Sequence, residues 1–444
     1  MLIGPIVAGN SKPNRVRWSL AAVMICVMLC SGATGRSFQK ICRVSALEYP
    51  GKDPTMWYAL YAATDGVVYS ALITEGGSAH VYKYDPRTGE HKMILDVAEF
   101  LDERGKGIRL SSKIHCKPVE DEQGNIYFVT LNNGSGPKGM DFTSWQGGHW
   151  LKYDPKADKF EDLGLTDVGD GPYPVAIDTK RSYLFGIGFK GYFYRLDMTT
   201  GVTRNFGRVA GSDVCRSIFC DDKGNVYGSF PGARVWRYDA EKEKVYDLKV
   251  RMPYDPTVFP ASLKNPRIDR TQEWRVIEWD PVDKVAYGVT CGSRSKLFRF
   301  DPDDGPEGKF TELAEMCDPK YRGRKDVPYS TLALAVDARN RKVYYAPSAR
   351  RYTLDKYIET FGSDTDHHLL VYDINTGQVT DLGIMRTTRG ERVFGCEGAA
   401  VGPDGTLYLC GQVELKDPRK ATRHTRTENV PISLRLISYR PGSN

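Results

Sequence analysis

This chain of 444 residues lacks most of the short motifs by which enzymes and metal sites are recognised. It contains no Gly-x-Ser-x-Gly, His-Glu-x-x-His or phosphate-loop sequence, and none of its ten cysteines forms a Cys-x-x-Cys pair. The carboxylate and asparagine set of calcium-dependent lactonases is not recognisable either. These absences argue against the common serine hydrolases, zinc peptidases and P-loop proteins, and against a structural zinc site.

Strong charge of one sign is absent as well. The formal net charge is +6, and no basic run is interleaved with aromatic residues, so binding to nucleic acid has little support. No apolar stretch is long enough to form a stable membrane span. With 41% apolar residues, the chain has ample material for one large domain.

The N-terminus has the pattern of an export signal. Basic residues come first, an apolar stretch follows at 18–30, and small residues at 31–35 offer a cleavage site. We therefore expect residues 1–35 to be a signal peptide and the protein to be secreted or periplasmic. A lipid anchor on Cys30 is disfavoured, because the bulky Met28 and Leu29 precede it. After cleavage eight cysteines remain, which permits up to four disulfides without fixing their pairing.

The chain does contain one sequence pattern that is repeated seven times. In the clearest copy, residues 220–228 form an acidic turn with glycine that leads into an apolar strand, and residues 232–239 form a second strand that ends in Tyr-Asp. The first half recurs around Tyr69, Tyr127, Tyr183, Tyr287, Tyr344 and Tyr408, and the second half around Asp85, Asp154, Asp197, Asp301, Asp373 and Tyr439. The period varies from about 40 to about 70 residues, which is typical of four-stranded propeller blades with loop insertions.

The repeat predicts an all-β fold, a seven-bladed β-propeller that spans residues 36–444 as a single domain. A four-stranded sheet of this kind has two apolar faces, and it buries both only when blades stack radially. The Tyr-Asp-Pro corners end strands, and the Thr-Gly pairs after them supply the positive φ of a hairpin. A strand at 39–47 precedes the first copy, and we expect it to complete the last blade and close the ring.

The residues just before each acidic turn begin the innermost strand of a blade and point toward the central channel. In this chain that set is unusually polar, and it comprises Lys113, His115, Tyr173, Arg216, Glu273, Trp274, Arg275, Tyr329 and Glu397. Any single member is as readily explained by solvation or by hydrogen bonds to backbone carbonyls near the axis. The collective pattern is what points to a binding site.

Three insertions interrupt the regular blades. The first, at 130–148, is rich in glycine and includes Trp145, whereas those at 348–366 and 414–430 are rich in basic residues. If these loops open on one face, that face favours an acidic, elongated ligand such as an anionic polysaccharide. His367 and His368, beside two aspartates, resemble a metal cluster but fit a solvated turn better.

One part of the sequence is more specific. The run at 113–128 around His115, with the stretches at 147–155 and 161–164, resembles a group of secreted seven-bladed propellers that includes polysaccharide lyases acting on ulvan and on rhamnose-glucuronate linkages. The similarity continues through Arg216 and through Trp274-Arg275, so it covers most of the ring.

That resemblance implies β-elimination on a uronic acid. In such a reaction an arginine neutralises the carboxylate, a histidine or tyrosine removes the α proton, and a second such group protonates the departing oxygen. By the resemblance, His115 is the base or acid, and Arg216 and Arg275 bind the carboxylate. A second histidine and a tyrosine of the pattern are missing at 130–132 and 187–191, and His149 and Tyr173 are the candidates to replace them.

Three hypotheses follow. The first is a secreted propeller that binds an anionic, uronate-bearing polysaccharide or oligosaccharide and cleaves it, with His115, Arg216, Arg275, His149 and Tyr173 as catalytic residues and Lys113, Trp145, Trp274, Tyr329 and Glu397 as substrate contacts. The second is a non-catalytic glycan-binding or scaffolding propeller. The third is a sugar-lactone hydrolase that needs a divalent cation in the channel. A cofactor of that kind is left open, no metal ligand is assigned, and the sequence does not indicate an oligomeric state.

Overall fold

The fold is that of a computed structural model of the chain. The residues it describes are 40–50, 56, 58–73, 77–132, 144–210, 215–230, 232–253, 273–291, 295–317, 326–328, 330–347, 350–353, 358–361, 367–417, 423–424 and 431–442. The predicted signal peptide at 1–35 and the predicted site residue Tyr329 lie outside these residues. Within them, no helix is both long and apolar enough to cross a membrane.

The protein consists almost entirely of short strands. The first part of the chain forms β1 (Ile41–Glu48), β2 (Leu60–Ala62), β3 (Val68–Leu72), β4 (His80–Asp85), β5 (Glu90–Asp96), α1 (Val97–Phe100), β6 (Lys113–Ile114), β7 (Val119–Glu120), β8 (Ile126–Leu131), β9 (His149–Asp154), β10 (Lys159–Leu165), β11 (Pro172–Asp178), β12 (Tyr183–Gly188), β13 (Tyr192–Asp197) and β14 (Val202–Arg208).

The second part continues in the same manner. It forms β15 (Phe219–Cys220), β16 (Val226–Phe230), β17 (Arg234–Asp239), β18 (Lys244–Arg251), β19 (Trp274–Asp280), β20 (Val285–Thr290), β21 (Lys296–Asp301), β22 (Lys309–Glu315), β23 (Asp326–Pro328), β24 (Leu334–Asp337), β25 (Lys342–Tyr345), β26 (Arg350–Thr353), β27 (Ile358–Phe361), β28 (His368–Asp373), β29 (Val379–Thr387), β30 (Val393–Val401), β31 (Leu407–Glu414), β32 (Arg423–His424) and β33 (Pro431–Tyr439).

These strands form an all-β propeller. Five separate antiparallel sheets follow one another along the chain: β2 to β5, β6 to β10, β11 to β14, β15 to β18, and β19 to β22. In each sheet consecutive strands are neighbours, except that β6 and β7 both pair with β8, and each sheet is a meander from its inner to its outer strand. We call them sheets one to five. The first strands also contact one another from sheet to sheet in a circle, from β7 through β11, β15, β19, β24 and β30 to β2.

The expectation of seven separate blades is corrected by the last part of the chain. There the strands of the last two repeats belong to one nine-stranded sheet, in the order β24-β25-β28-β29-β1-β33-β31-β30, with β32 paired to β33 off this path. The cause is the N-terminal strand. Its first half, Ile41–Val44, pairs in parallel with β29, and its second half, Ser45–Glu48, pairs antiparallel with β33. The prediction that an N-terminal strand completes the last blade is confirmed, and the same strand fuses that blade to its neighbour.

The acidic turns explain why the repeat has its sequence. Asp221 accepts hydrogen bonds from the backbone N–H groups of Lys223 and Asn225 at 2.9 Å, from the Asn225 side chain at 3.0 Å, and from the Tyr227 hydroxyl at 3.2 Å. Asp121 makes the same four kinds of contact in sheet two. The aspartate therefore satisfies the tight turn before the second strand, and the tyrosine of that strand completes its coordination.

No disulfide joins any of the eight cysteines of the propeller, and all but the half-buried Cys220 are buried. Burial raises the pKa of Cys116 and of Cys410 to about 12. The disulfides that the even cysteine count permits are thus not formed. The thiols serve as small apolar side chains of the core.

Candidate functional site

The inner strand of sheet two is broken where the predicted histidine lies. β6 ends at Ile114 and β7 begins at Val119, and both halves pair with β8, so residues 115–118 leave the ladder. Cys116 fills part of the gap, because its thiol sulfur accepts the backbone N–H of Val129 at 3.4 Å. The break lets His115 leave the alternation of the strand, and its side chain is completely buried.

The other inner strands are irregular at the equivalent places. The register shifts between Pro172 and Val175 around Tyr173, between Trp274 and Val276 at Arg275, and between Cys396 and Gly398 at Glu397. In sheet four the inner strand is reduced to β15, and Arg216 lies in the chain just before it. A bulge places an extra residue in a strand and redirects its side chain. Each of these polar residues therefore lies where its strand departs from regular pairing.

These irregularities bring side chains of several sheets together. The Arg216 Nη1 donates a hydrogen bond to His115 Nε2 at 3.2 Å, and the Arg216 guanidinium lies 4.7 Å from the ring centre of Tyr173. The His115 and Tyr173 rings meet edge to face at 4.9 Å, and Lys113 Nζ lies 5.1 Å from the same tyrosine ring. With Arg275, whose charge acts on both Lys113 and His115, these residues form what we call the cationic cluster.

Burial and nearby positive charges lower the pKa values of the titratable residues in the cationic cluster. Burial lowers the pKa of Lys113 well below its ordinary value, and Arg216 and Arg275 lower it further. Burial likewise lowers the pKa of His115, aided by Lys113 and the two arginines. Because His115 Nε2 accepts a hydrogen bond from Arg216, this nitrogen carries no proton and the imidazole is neutral. Arg216 and Tyr173 are only half buried, so the cluster can be reached.

Two carboxylates border the cluster. Glu397, from the inner strand β30 of the nine-stranded sheet, forms an ion pair with Arg275 at 3.6 Å. Glu273 is buried, and its Oε2 accepts the Ser229 hydroxyl at 3.4 Å. The predicted residues Lys113, His115, Tyr173, Arg216, Arg275 and Glu397 are therefore brought to one place.

The serine that supports this place was not found by sequence reasoning. The Ser217 hydroxyl donates a hydrogen bond to the Ile277 carbonyl at 3.0 Å and lies 3.4 Å from the Tyr58 hydroxyl. The backbone carbonyl of Ser217 accepts a hydrogen bond from the Trp274 indole N–H at 2.7 Å. Ser217 thus ties sheets one, four and five together beside Arg216. No repeat motif marks it, and only its position next to Arg216 could have drawn attention to it.

Three predicted residues have other surroundings. His149 begins the third strand of sheet two, and its Nδ1 lies 3.0 Å from both carboxylate oxygens of Asp162 on the outer strand. Trp145 is buried, with its ring centre 6.2 Å from that of Phe189. Trp274 is buried and gives its N–H to Ser217, so its contacts are those of a supporting residue.

The pair of histidines at 367–368 also differs from expectation. His367 is almost completely buried, and burial lowers its pKa to about 3, so it is not part of a solvated turn. His368 Nδ1 lies 2.8 Å from an oxygen of Asp381 on the neighbouring strand. The two aspartates before the pair lie outside the described residues. Among the residues that are described, no group of three potential ligands is placed to hold a metal ion.

Comparison with known proteins identifies the architecture. No protein family and no curated protein matches the chain. Among solved structures, the chain is similar to one of the mitotic checkpoint complex (10% identity, 98% of this chain and 99% of that one, TM-score 0.52). It is also similar to the Cps50 (Swd1) β-propeller domain of Myceliophteria thermophila (11% identity, 89% and 99%, TM-score 0.52) and to the WD40 repeats of RRP9 (10% identity, 90% and 98%, TM-score 0.55).

These findings correct the resemblance to polysaccharide lyases, which is wrong. These three structures include a β-propeller domain and a set of WD40 repeats, and none of the three is described as a lyase. The physical reason is that Asp-Gly turns and Tyr-Asp-Pro corners are what any propeller blade needs to reverse and end its strands. By fold, then, this chain is a β-propeller.

Proposed function

We propose that this protein is a non-catalytic propeller scaffold that holds a carboxylate group of its partner in the cationic cluster. The observation that carries the proposal is the convergence of three positive side chains, Lys113, Arg216 and Arg275, around one neutral histidine. Burying like charges together costs free energy, since both desolvation and repulsion oppose it. An anion bound among them would offset both costs.

The chemistry of the cluster favours a carboxylate. A guanidinium presents a planar fork of N–H donors that matches a carboxylate in two parallel hydrogen bonds. Arg216 is held in place on two sides, by His115 Nε2 at 3.2 Å and by the Tyr173 ring at 4.7 Å. A donor whose orientation is already fixed loses little conformational freedom when the ligand arrives.

The same geometry argues against proton transfer by His115. A general base needs a lone pair within hydrogen-bonding distance of the substrate proton. The Nε2 lone pair of His115 accepts from Arg216, and the ring is completely buried. We therefore assign His115 the part of positioning Arg216. His149, held by Asp162, and Trp145 and Trp274, both buried, have no part in binding under this proposal.

The proposal includes a ring of seven structural units. Within the nine-stranded sheet, β24-β25-β28-β29 and β30-β31-β33-β1 each run from an inner strand to an outer one, as the five separate sheets do. The inner strands β24 and β30 contact each other and the neighbouring inner strands β19 and β2. Counting the nine-stranded sheet as two fused units places Glu397 on the last unit, facing the same channel as Arg275.

Titration calorimetry tests the proposal with two matched ligand pairs, an oligogalacturonate against neutral oligogalactose and an oligoglutamate peptide against oligoglutamine. We expect one acidic ligand to bind and its neutral counterpart not to, and the acidic ligand that binds identifies the partner as glycan or protein. Arg216→Gln should weaken binding about tenfold or more, since a hydrogen bond between charged groups is lost.

The control is Arg204→Gln, which removes an exposed arginine that pairs with Glu243. Equal affinity for acidic and neutral ligands, or equal losses in the two variants, would refute the carboxylate site. Release of an unsaturated, ultraviolet-absorbing product from the galacturonate would refute the non-catalytic part alone.

A further inference from the structure

A second cavity lies apart from the cationic cluster, between sheets three and four. Its volume is about 690 Å³, and its walls include Phe206 of β14, Phe230 of β16 and Trp236 of β17, with Arg208 and Arg234 beside them. This volume falls within the range of about 300–1,000 Å³ that is usual for small-molecule sites. Three aromatic walls and two guanidinium groups are a combination that the packing of two sheets does not by itself require.

The cavity lies between sheets that are otherwise in close contact. The ring centres of Phe193 and Trp236 are 5.0 Å apart, and those of Phe206 and Tyr238 are 5.1 Å apart. The cavity therefore opens beside rings whose positions are fixed by packing against one another.

The tryptophan wall is rigid. The Trp236 indole lies against Gly228, where a Cβ atom would come within 2.1 Å of its Cζ2. Only glycine at that position allows the ring to adopt this orientation. Trp236 is almost completely buried, so its indole ring forms a fixed aromatic wall of the cavity.

The charges at the cavity favour an anionic acceptor. The Arg234 guanidinium lies 3.8 Å from the ring centre of Phe230, and its Nη1 donates to Asp247 at 3.1 Å. The Nε of Arg208 donates to the Ala210 carbonyl at 3.1 Å, which orients that guanidinium and uses one of its five N–H donors. Among the described residues that line the cavity, Arg208 and Arg234 are the cations and Asp247 is the anion.

We infer that this cavity, which we call the inter-blade pocket, is a binding site for a small planar aromatic molecule that carries a carboxylate. The aromatic ring would lie among Phe206, Phe230 and Trp236, and the carboxylate would face Arg208. Aromatic rings prefer offset or edge-to-face contacts with other aromatic rings, and an arginine binds a carboxylate more strongly than it binds a neutral acceptor. This site does not depend on the proposed function of the cationic cluster.

Calorimetry with indole-3-acetate as the probe tests the inference. Indole-3-acetamide is the neutral control, and cyclohexylacetate is the control without an aromatic ring. We expect saturable binding of indole-3-acetate, and affinities at least about tenfold lower for both controls. Arg208→Gln should reduce the affinity for indole-3-acetate to that for indole-3-acetamide, and Phe230→Leu should reduce it to that for cyclohexylacetate.

A matched variant locates the effect. Arg251→Gln removes an exposed arginine that donates to nearby carbonyls at the end of β18, outside the pocket lining. It should bind indole-3-acetate like the unaltered protein. The inference is overturned if indole-3-acetate does not bind saturably, if the amide binds equally well, or if Arg208→Gln and Phe230→Leu leave binding unchanged in a protein whose melting temperature shows it to be folded.

Discussion

Two regions of the propeller bury charge, and they do so in opposite ways. At the acidic turns, the carboxylate of Asp221 is surrounded by donors from residues at most six positions further along the chain. In the cationic cluster, the charges come from sheets two, four and five, and those that act most strongly on Lys113 are of its own sign. The turn satisfies its charge locally, whereas the cluster brings like charges together from separate sheets and, among the described contacts, pairs Arg275 with Glu397 at 3.6 Å.

The difference separates a structural charge from a functional one. A turn that is satisfied by its own neighbours contributes to folding and needs nothing further. A cluster of like charges opposes folding, and under the proposed function a bound carboxylate offsets that cost. This contrast predicts that substitutions in the two regions change stability in opposite directions.

The largest effect is expected at the turn. Asp221→Ala leaves two backbone N–H groups and the Asn225 and Tyr227 side chains without their acceptor, and we expect it to lower the free energy of unfolding by about 3 kcal/mol. Urea unfolding followed by circular dichroism measures this change. The control is Asp303→Ala, which removes an exposed carboxylate that pairs with Lys223 at 2.5 Å, and it should cost less than about 1 kcal/mol. Equal losses would show that the local network is not what stabilises the turn.

An intermediate effect is expected on acidification. His115 is neutral in the folded protein because its pKa is lowered, whereas in the unfolded chain it takes up a proton below its ordinary pKa of about 6.5. Stability is therefore lost as the pH falls below about 6.5, by about 1.4 kcal/mol per unit, or about 2 kcal/mol by pH 5. His115→Gln should lose about 2 kcal/mol less than the unaltered protein when urea unfolding is repeated at pH 7.5 and pH 5.

His367 supplies the comparison for this prediction. Its pKa is lowered to about 3 by burial, with a further contribution from His368. His367→Gln should therefore reduce the acid sensitivity by a similar amount, although it lies outside the cationic cluster. A carboxylate ligand distinguishes the two histidines. When it is bound to the cationic cluster, it should reduce the acid sensitivity of the unaltered protein and of His367→Gln alike. An unchanged acid sensitivity in His115→Gln would contradict the neutral state of the imidazole.

The same contrast between local and long-range contacts explains which features could be predicted from the sequence. The turns could be predicted because all their contacts are local: an Asp, an Asn or Gly and a Tyr within seven residues specify the strand reversal. The polar set on the inner strands could also be predicted, since Lys113, His115, Arg216 and Arg275 precede the turns in the repeat. The expected closing strand is also present, and it could be predicted from its position before the first repeat.

What could not be predicted depends on long-range pairing. The fusion of the last two repeats depends on Ile41–Val44 pairing with a strand more than 300 residues away, and nothing in the repeat specifies a parallel partner. The bulges at Tyr173, Arg275 and Glu397 are register shifts between strands, and a single sequence does not contain them. The lyase resemblance was wrong because it was based on motifs that every blade shares.

The smallest effect, and the one opposite in sign to that of Asp221→Ala, is expected at Lys113. Replacing this buried lysine by methionine keeps most of its volume and removes one of three like charges, so we expect the free energy of unfolding to rise by about 1 kcal/mol. The gain should disappear when a carboxylate ligand is present, because the ligand stabilises only a protein that retains the charge. A thermal melt with and without the ligand measures both. If Lys113→Met is instead destabilising without ligand, the lysine is compensated within the fold, and the two regions bury charge in the same way after all.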